Sequence, residues 1–159
     1  MRMQGRTMGI AGAALVALLP FAWLTLRARP QADPPLSMVT LNIGRAVVQA
    51  EIADTIERKA RGLSGRARLA DGSGMLFPFV PPQRPQFWMK DMLMPLDFLW
   101  IRGGKVVQIT ADVPPPSGSG PLPLYRPAVD VDAVLEVPAG FAERAGLAVG
   151  DLVQEGNIP

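Results

Sequence analysis

The chain has 159 residues, 48% of them hydrophobic and 19% charged, with no cysteine and no histidine. That length suits one ordinary domain and not two. The missing residue types exclude a Ser-His-Asp triad, a thiolate nucleophile, a zinc site of imidazole or thiolate, a disulfide framework and haem ligation by histidine. No cofactor or metal is expected. The net charge of +2 is unevenly spread: residues 1–30 carry Arg2, Arg6, Arg27 and Arg29 and no acid, so residues 31–159 hold 12 basic and 14 acidic side chains, net −2. Arg58, Lys59, Arg61, Arg66 and Arg68 cluster, but Gly62 and Gly65 interrupt them. This is too thin a footprint to displace counterions from a phosphate backbone, so no nucleic-acid partner is expected.

From Met8 to Leu26 run nineteen uncharged residues, which as a helix would reach roughly 28 Å, the hydrocarbon thickness of a bilayer. Arg2 and Arg6 ahead of it make the basic flank of an export signal. Residues 1–30 therefore read as a membrane anchor or signal peptide. Arg27, Arg29 and Pro30 spoil a small-x-small cleavage site, which favours an uncleaved anchor in the inner membrane, with the body on the extracytoplasmic, periplasmic side. Secretion to the periplasm after cleavage is the alternative. A buried soluble helix fits poorly, because the run has no polar face and contains Pro20.

Residues 31–37 read as a polar, proline-bearing linker, and residues 38–159 as a single β-rich domain. MVTLNI (38–43) and AVVQAEIA (46–53) predict an opening hairpin around Gly44-Arg45. Asp54 and Glu57 have the spacing of a capping box, and Gly62 suits a helix end, so a short helix is predicted over 55–61. GMLFPF (74–79) follows a turn-rich stretch, and Pro81, Pro82 and Pro85 then predict an extended loop in place of a central strand. FLWI (98–101) predicts a strand buried on both faces. Gly103-Gly104 turns it into KVVQITADV, where Val107, Ile109 and Ala111 alternate with Gln108 and Thr110. Residues 114–123 (PPPSGSGPLP) lack periodicity and predict a surface loop. VDAVLEV (131–137) places Val131, Ala133, Leu135 and Val137 on one face, opposite Asp132, Val134 and Glu136. A short helix in AGFAERAG, closed by Gly146, and a last strand DLVQ complete the set. About seven short strands with one or two brief helices predict a compact, mainly β fold, a barrel or a sandwich.

GLSGR (62–66), GMLF (74–77), FWMKDMLMPLDFLWI (87–101) and VLEVPAG (134–140), in this order and spacing, resemble the bacterial and archaeal family known as domain of unknown function 192. The likeness runs over nearly all of 38–154. Family members often carry GLM where this chain has Gly62-Leu63-Ser64, and the proline-rich stretch at 114–123 is longer than the family minimum. The resemblance implies a small, largely β domain, often exported behind one hydrophobic segment, and no established activity.

Six residues are candidates for a ligand groove: Arg66, Trp88, Lys90, Asp97, Tyr125 and Glu136. Asp97 lies in the densest apolar stretch, where an ionised carboxylate needs a partner. Glu136 shares the more polar face of its strand with Asp132. As a general acid and base the two carboxylates would suit cleavage of an envelope glycan, which needs them a fixed distance apart across one bond. As structural groups they would be neutralised by Arg66 or Lys90 and bonded to turn backbone. Phe87, Trp88 and Met89 read either as core or as a recognition surface, with Trp88 stacking on a sugar or gripping a peptide. Tyr125 either anchors the proline-rich loop or closes over a pocket, and Lys90-Asp91 reads as a solvated turn. The functional expectation is a membrane-tethered binding or accessory module of the cell envelope with a glycan, peptide or protein partner, the carboxylate hydrolase being the alternative.

Overall fold

The computed structural model describes residues 34–156. The hydrophobic run 8–26 and residues 31–33 of the linker lie outside that range. Among the described residues no helix is long and apolar enough to cross a membrane.

The opening hairpin forms as expected, from β1 (Met38–Ile43) and β2 (Ala46–Ile52) in antiparallel register, with Gly44 at φ 55° in the turn. Helix α1 (Ile56–Arg61) begins one residue later than a capping box at Asp54 would place it. Thr55 is the cap, its hydroxyl accepting from the Arg58 N–H at 3.2 Å, and Asp54 is engaged by the Arg58 guanidinium at 2.8 Å instead. A β-branched hydroxyl next to the first turn satisfies an orphan donor as well as a carboxylate does. Helix α1 is the crossover that lets β3 (Ser73–Gln83) lie parallel to β2, since parallel neighbours cannot be joined by a tight turn.

Strand β3 corrects the expectation of a loop at the prolines, because it continues through Pro81 and Pro82 to Gln83. Its register with β6 is regular only to Pro78 and resumes at Gln83 after an irregularity. The prolines thus sit where the ladder is already broken and their missing N–H groups cost nothing. Strand β4 (Leu96–Arg102) is buried on both faces from Leu96 to Ile101 and turns at Gly103-Gly104 into β5 (Lys105–Val113). The simple alternation expected in β5 fails. Ile101 pairs with Val106 but Trp100 pairs with Gln108, so Val107 is an inserted residue, and Val107 and Ile109 pack against opposite clusters. A bulge of this kind flips the face of every residue beyond it. Strand β6 (Val131–Pro138), helix α2 (Phe141–Arg144) and a short β7 (Val153–Glu155) complete the chain.

The seven strands make one sheet in the order β5-β4-β6-β3-β2-β1-β7. It is a curled half-barrel and not a two-sheet sandwich. Its ends meet where Val106 N–H donates to Asp151 O at 2.9 Å and Val153 N–H to Gly104 O at 2.8 Å. The concave side packs Leu41, Ile43, Val48, Leu99, Ile101, Leu135, Val137 and Phe141. The other face of the central strands carries Met75, Phe77, Phe98, Trp100 and Val134 and is covered by Leu63, just after α1, and by Phe87, Met89, Met92 and Met94. Only a sheet covered on both sides explains why β4 and β6 are apolar at nearly every position.

Candidate functional site

Helix α1 and the segment Pro85–Met92 stand over that outer face and leave a cavity of about 130 Å³ between them. Gly62 ends α1 at φ 50°, its N–H bonded to Arg58 O at 2.8 Å, and a Cβ there would lie 3.5 Å from the Phe77 ring. This positive φ turns the chain down so that Leu63 is buried against the sheet. The next residues tie one wall to the other: Ser64 Oγ donates to Lys90 O at 2.9 Å, and Gly65 N–H to Asp91 O at 2.8 Å. Phe87 is held by two backbone hydrogen bonds to Tyr125, both 2.9 Å, and its ring meets those of Phe77, Phe98 and Trp100 with centroids 5.1, 5.7 and 5.6 Å away. Edge-on and tilted packing of this kind gives a rigid aromatic wall.

Trp88 stands at the mouth, 53% exposed. Lys59 also lines the cavity, donating to Pro78 O, with its ammonium 4.7 Å from the centre of the Phe79 ring. On the floor is Glu136, 5% exposed, between Met75 of β3 and Phe98 of β4. Its carboxyl makes no hydrogen bond or ion pair among the described residues, and burial pushes it up to about 8 from the 4.5 of an ordinary glutamate. A carboxyl without a charged partner in apolar surroundings keeps its proton. Near neutral pH the cavity floor is therefore an uncharged acid able both to donate and to accept.

A family model for domain of unknown function 192 (DUF192, uncharacterized ACR) matches residues 39–155. The chain belongs to this family. No curated protein matches it. Two crystal structures are similar to the DUF192 domain. One is a candidate transcription regulator from Sinorhizobium meliloti 1021, with TM-score 0.71 and 27% identity over 77% of this chain and 97% of that one. The other is a protein of unknown function from Novosphingobium aromaticivorans DSM 12444, with TM-score 0.68 and 31% identity over 94% of this chain and 99% of that one.

Of the six residues singled out in the sequence, the DUF192 domain brings only Trp88 and Glu136 to one cavity. Glu136 is buried, contrary to its place on the more polar face of β6, because α1 and the 85–94 segment cover that face. Asp97 is fully buried, but no arginine or lysine neutralises it. Its carboxylate accepts three backbone N–H bonds, from Asp112 at 2.9 Å, Gly140 at 3.1 Å and Ala142 at 3.0 Å. In the regular β4–β6 register Asp97 pairs with Val137 and Phe98 with Glu136. Paired residues share a face and neighbours along a strand do not, so Asp97 and Glu136 point to opposite sides of the sheet. They cannot flank one scissile bond.

Arg66 pairs with Glu51 in two-pronged fashion, at 2.7 and 2.6 Å, and not with either buried carboxyl. That bond holds the Glu51 carboxyl below its ordinary value and the Arg66 guanidinium above its own. Lys90 is exposed in the expected turn, and Tyr125 bonds through its backbone to Phe87, its ring 5.7 Å from that of Phe98. A second hollow of about 190 Å³ lies beneath that loop, beside Met89 and Tyr125. Sequence reasoning missed Lys59, Leu63, Phe77 and Phe79 as cavity residues. The alternation Met75, Phe77, Phe79 in β3 carried the signal for the last two.

Proposed function

We propose that the chain is a binding module held at the extracytoplasmic face of the inner membrane by residues 8–26, with its ligand seated between α1 and Pro85–Met92 against Glu136. The observation that carries the binding half is the Glu136 carboxyl, 5% exposed and open to the floor of an aromatic-walled cavity, with no hydrogen bond to another described residue, an arrangement a ligand could complete. The tether rests on the apolar run and its basic flank.

Two other readings are less well supported. A paired-carboxylate hydrolase lacks its geometry, since Asp97 is turned away and saturated with donors. The transcription-regulator description of the Sinorhizobium protein finds little echo in the basic cluster. Arg66 is bonded to Glu51, Arg58 to Asp54 and Lys59 to a backbone carbonyl.

Fractionation of cells expressing the full chain tests the location. The chain is expected in the membrane fraction, and its body is expected to be digested by protease added to spheroplasts. A freely soluble chain inside the cell refutes the tether. Binding is tested by NMR screening of small-molecule fragments against the full chain in micelles. Hits are expected to shift resonances of α1 and Phe87–Met92 and to disappear in Trp88→Ala and Glu136→Ala. Hits that survive both substitutions place the ligand elsewhere.

A further inference from the structure

Three features of the cavity correspond to three parts of one chemical group. The inner wall of Leu63, Phe77 and Phe87 is apolar, the floor carries the Glu136 carboxyl, and the half-exposed Trp88 stands at the mouth. We infer that the cavity takes the acyl-amino group of an N-acetylated sugar. The acetyl methyl would pack on the aromatic wall, the acetyl carbonyl would accept a hydrogen bond from the Glu136 acid, and the pyranose ring would lie against Trp88. The inference rests on the binding reading above and narrows it to a ligand class.

Size and charge both favour this group. A water needs roughly 10–15 Å³ of such space, so about 130 Å³ holds on the order of ten heavy atoms. That is enough for an acetamido group and the edge of a ring, and the remainder of a glycan must stay at the mouth, where Trp88 is exposed. A cationic group is a poorer fit. The other charged side chains at the cavity are Lys59 and Arg61, both from α1 and both positive, while Met75 and Phe98 flank Glu136 from β3 and β4. An acid held neutral by its surroundings and facing the cavity is a donor with no acceptor among the described residues. A carbonyl oxygen supplies that acceptor without bringing charge into the cavity.

Saturation-transfer NMR on the full chain in micelles tests this with three probes: the trisaccharide of N-acetylglucosamine, its de-acetylated form, and cellotriose. The N-acetylated probe is expected to bind at pH 7 with its acetyl methyl protons the most strongly saturated, and the other two at least tenfold more weakly. Trp88→Ala and Glu136→Ala should each weaken it at least tenfold. Glu136→Gln keeps an uncharged donor and should bind at pH 7 and pH 9 alike, whereas the parent weakens about tenfold at pH 9 as Glu136 ionises. Equal or tighter binding of the de-acetylated probe overturns the inference in favour of an ammonium ligand. Equal binding of all three overturns the acyl assignment and leaves the binding reading standing. If none binds, or a blocked peptide such as N-acetylalanine amide binds where the sugar does not, the inference falls. The binding reading is then decided by the fragment screen alone.

Discussion

Replacing Glu136 by Gln should make the protein more stable, and the gain should depend on pH in a defined way. The folded carboxyl is pushed up to about 8 by burial, against 4.5 for an ordinary glutamate. Between those values the unfolded chain has released the proton and the folded chain retains it. The folded state then binds one proton more, and stability falls by about 1.4 kcal/mol for each unit of rising pH. The contribution is complete below 4.5, declines through the neutral range and levels off once pH has passed about 8, a span of about 5 kcal/mol. Gln presents a similar shape with no proton to lose. Variant and parent should therefore be equally stable near pH 4, and the variant ahead by about 3 kcal/mol at pH 7. Urea unfolding of the full chain, followed by circular dichroism from pH 4 to 9, reads this directly. With a urea slope of about 1–3 kcal/mol/M the midpoint should rise by about 1 M or more at neutral pH. Most substitutions destabilise, so the sign itself is informative. Parallel pH profiles for the two proteins would refute the reasoning, because they would mean that water or a cation already satisfies the carboxyl.

Asp97→Ala removes the acceptor of three backbone N–H groups, one buried and two part-buried, and should cost about 2–4 kcal/mol; Asp97→Asn, which keeps one oxygen but turns an NH₂ toward a donor, should fall between it and the parent in the same urea titration. Gly74→Ala should destabilise by about 1–3 kcal/mol, since its Cβ would lie 2.7 Å from Glu136 O and 3.1 Å from Val48 Cγ1; a neutral effect would mean that β3 and β6 part easily enough to admit a methyl group. Arg66→Gln should cost no more than about 1 kcal/mol, as the pair with Glu51 is partly exposed. Because the folded Glu51 carboxyl is held below its ordinary 4.5, the parent should lose that advantage as pH falls below 4.5, and unfolding midpoints of the two proteins should converge in acid.

Much of the fold was legible because it is local. The Gly44-Arg45 and Gly103-Gly104 turns, the apolar run 98–101 and the two short helices are each written in consecutive residues. What was not legible depends on pairing between distant segments. The inserted Val107 is visible only against Trp100 and Ile101, and the strand character of Val80–Gln83 only against Val131. The same division explains the site. Trp88 and Glu136 were recognisable as residue types, but the burial of Glu136 comes from α1 and Pro85–Met92, which fold over β6 from elsewhere in the chain. Asp97 was placed correctly in apolar surroundings. Its backbone partners were expected in kind but not in place, and the expected base is absent, because the N–H groups of Asp112, Gly140 and Ala142 carry no side-chain signature.

The two buried carboxyls separate a group that holds the fold from one that is free to act. They lie on adjacent strands, one register step apart and on opposite faces. Asp97 has three donors aimed at it from a β5 residue at φ 51° and from the turn into α2. Those donors engage both oxygens of the carboxylate, and once so satisfied it has little left to offer a ligand. Glu136 has the opposite surroundings: two apolar neighbours across the strands, an aromatic wall, and space. The prolines of β3 and the inserted residue of β5 also depart from simple strand patterning, but the broken ladder and the bulge accommodate them. An acid that weakens the fold as pH rises through the neutral range has no such accommodation among the described residues, and disagreements of that kind are where function is expected.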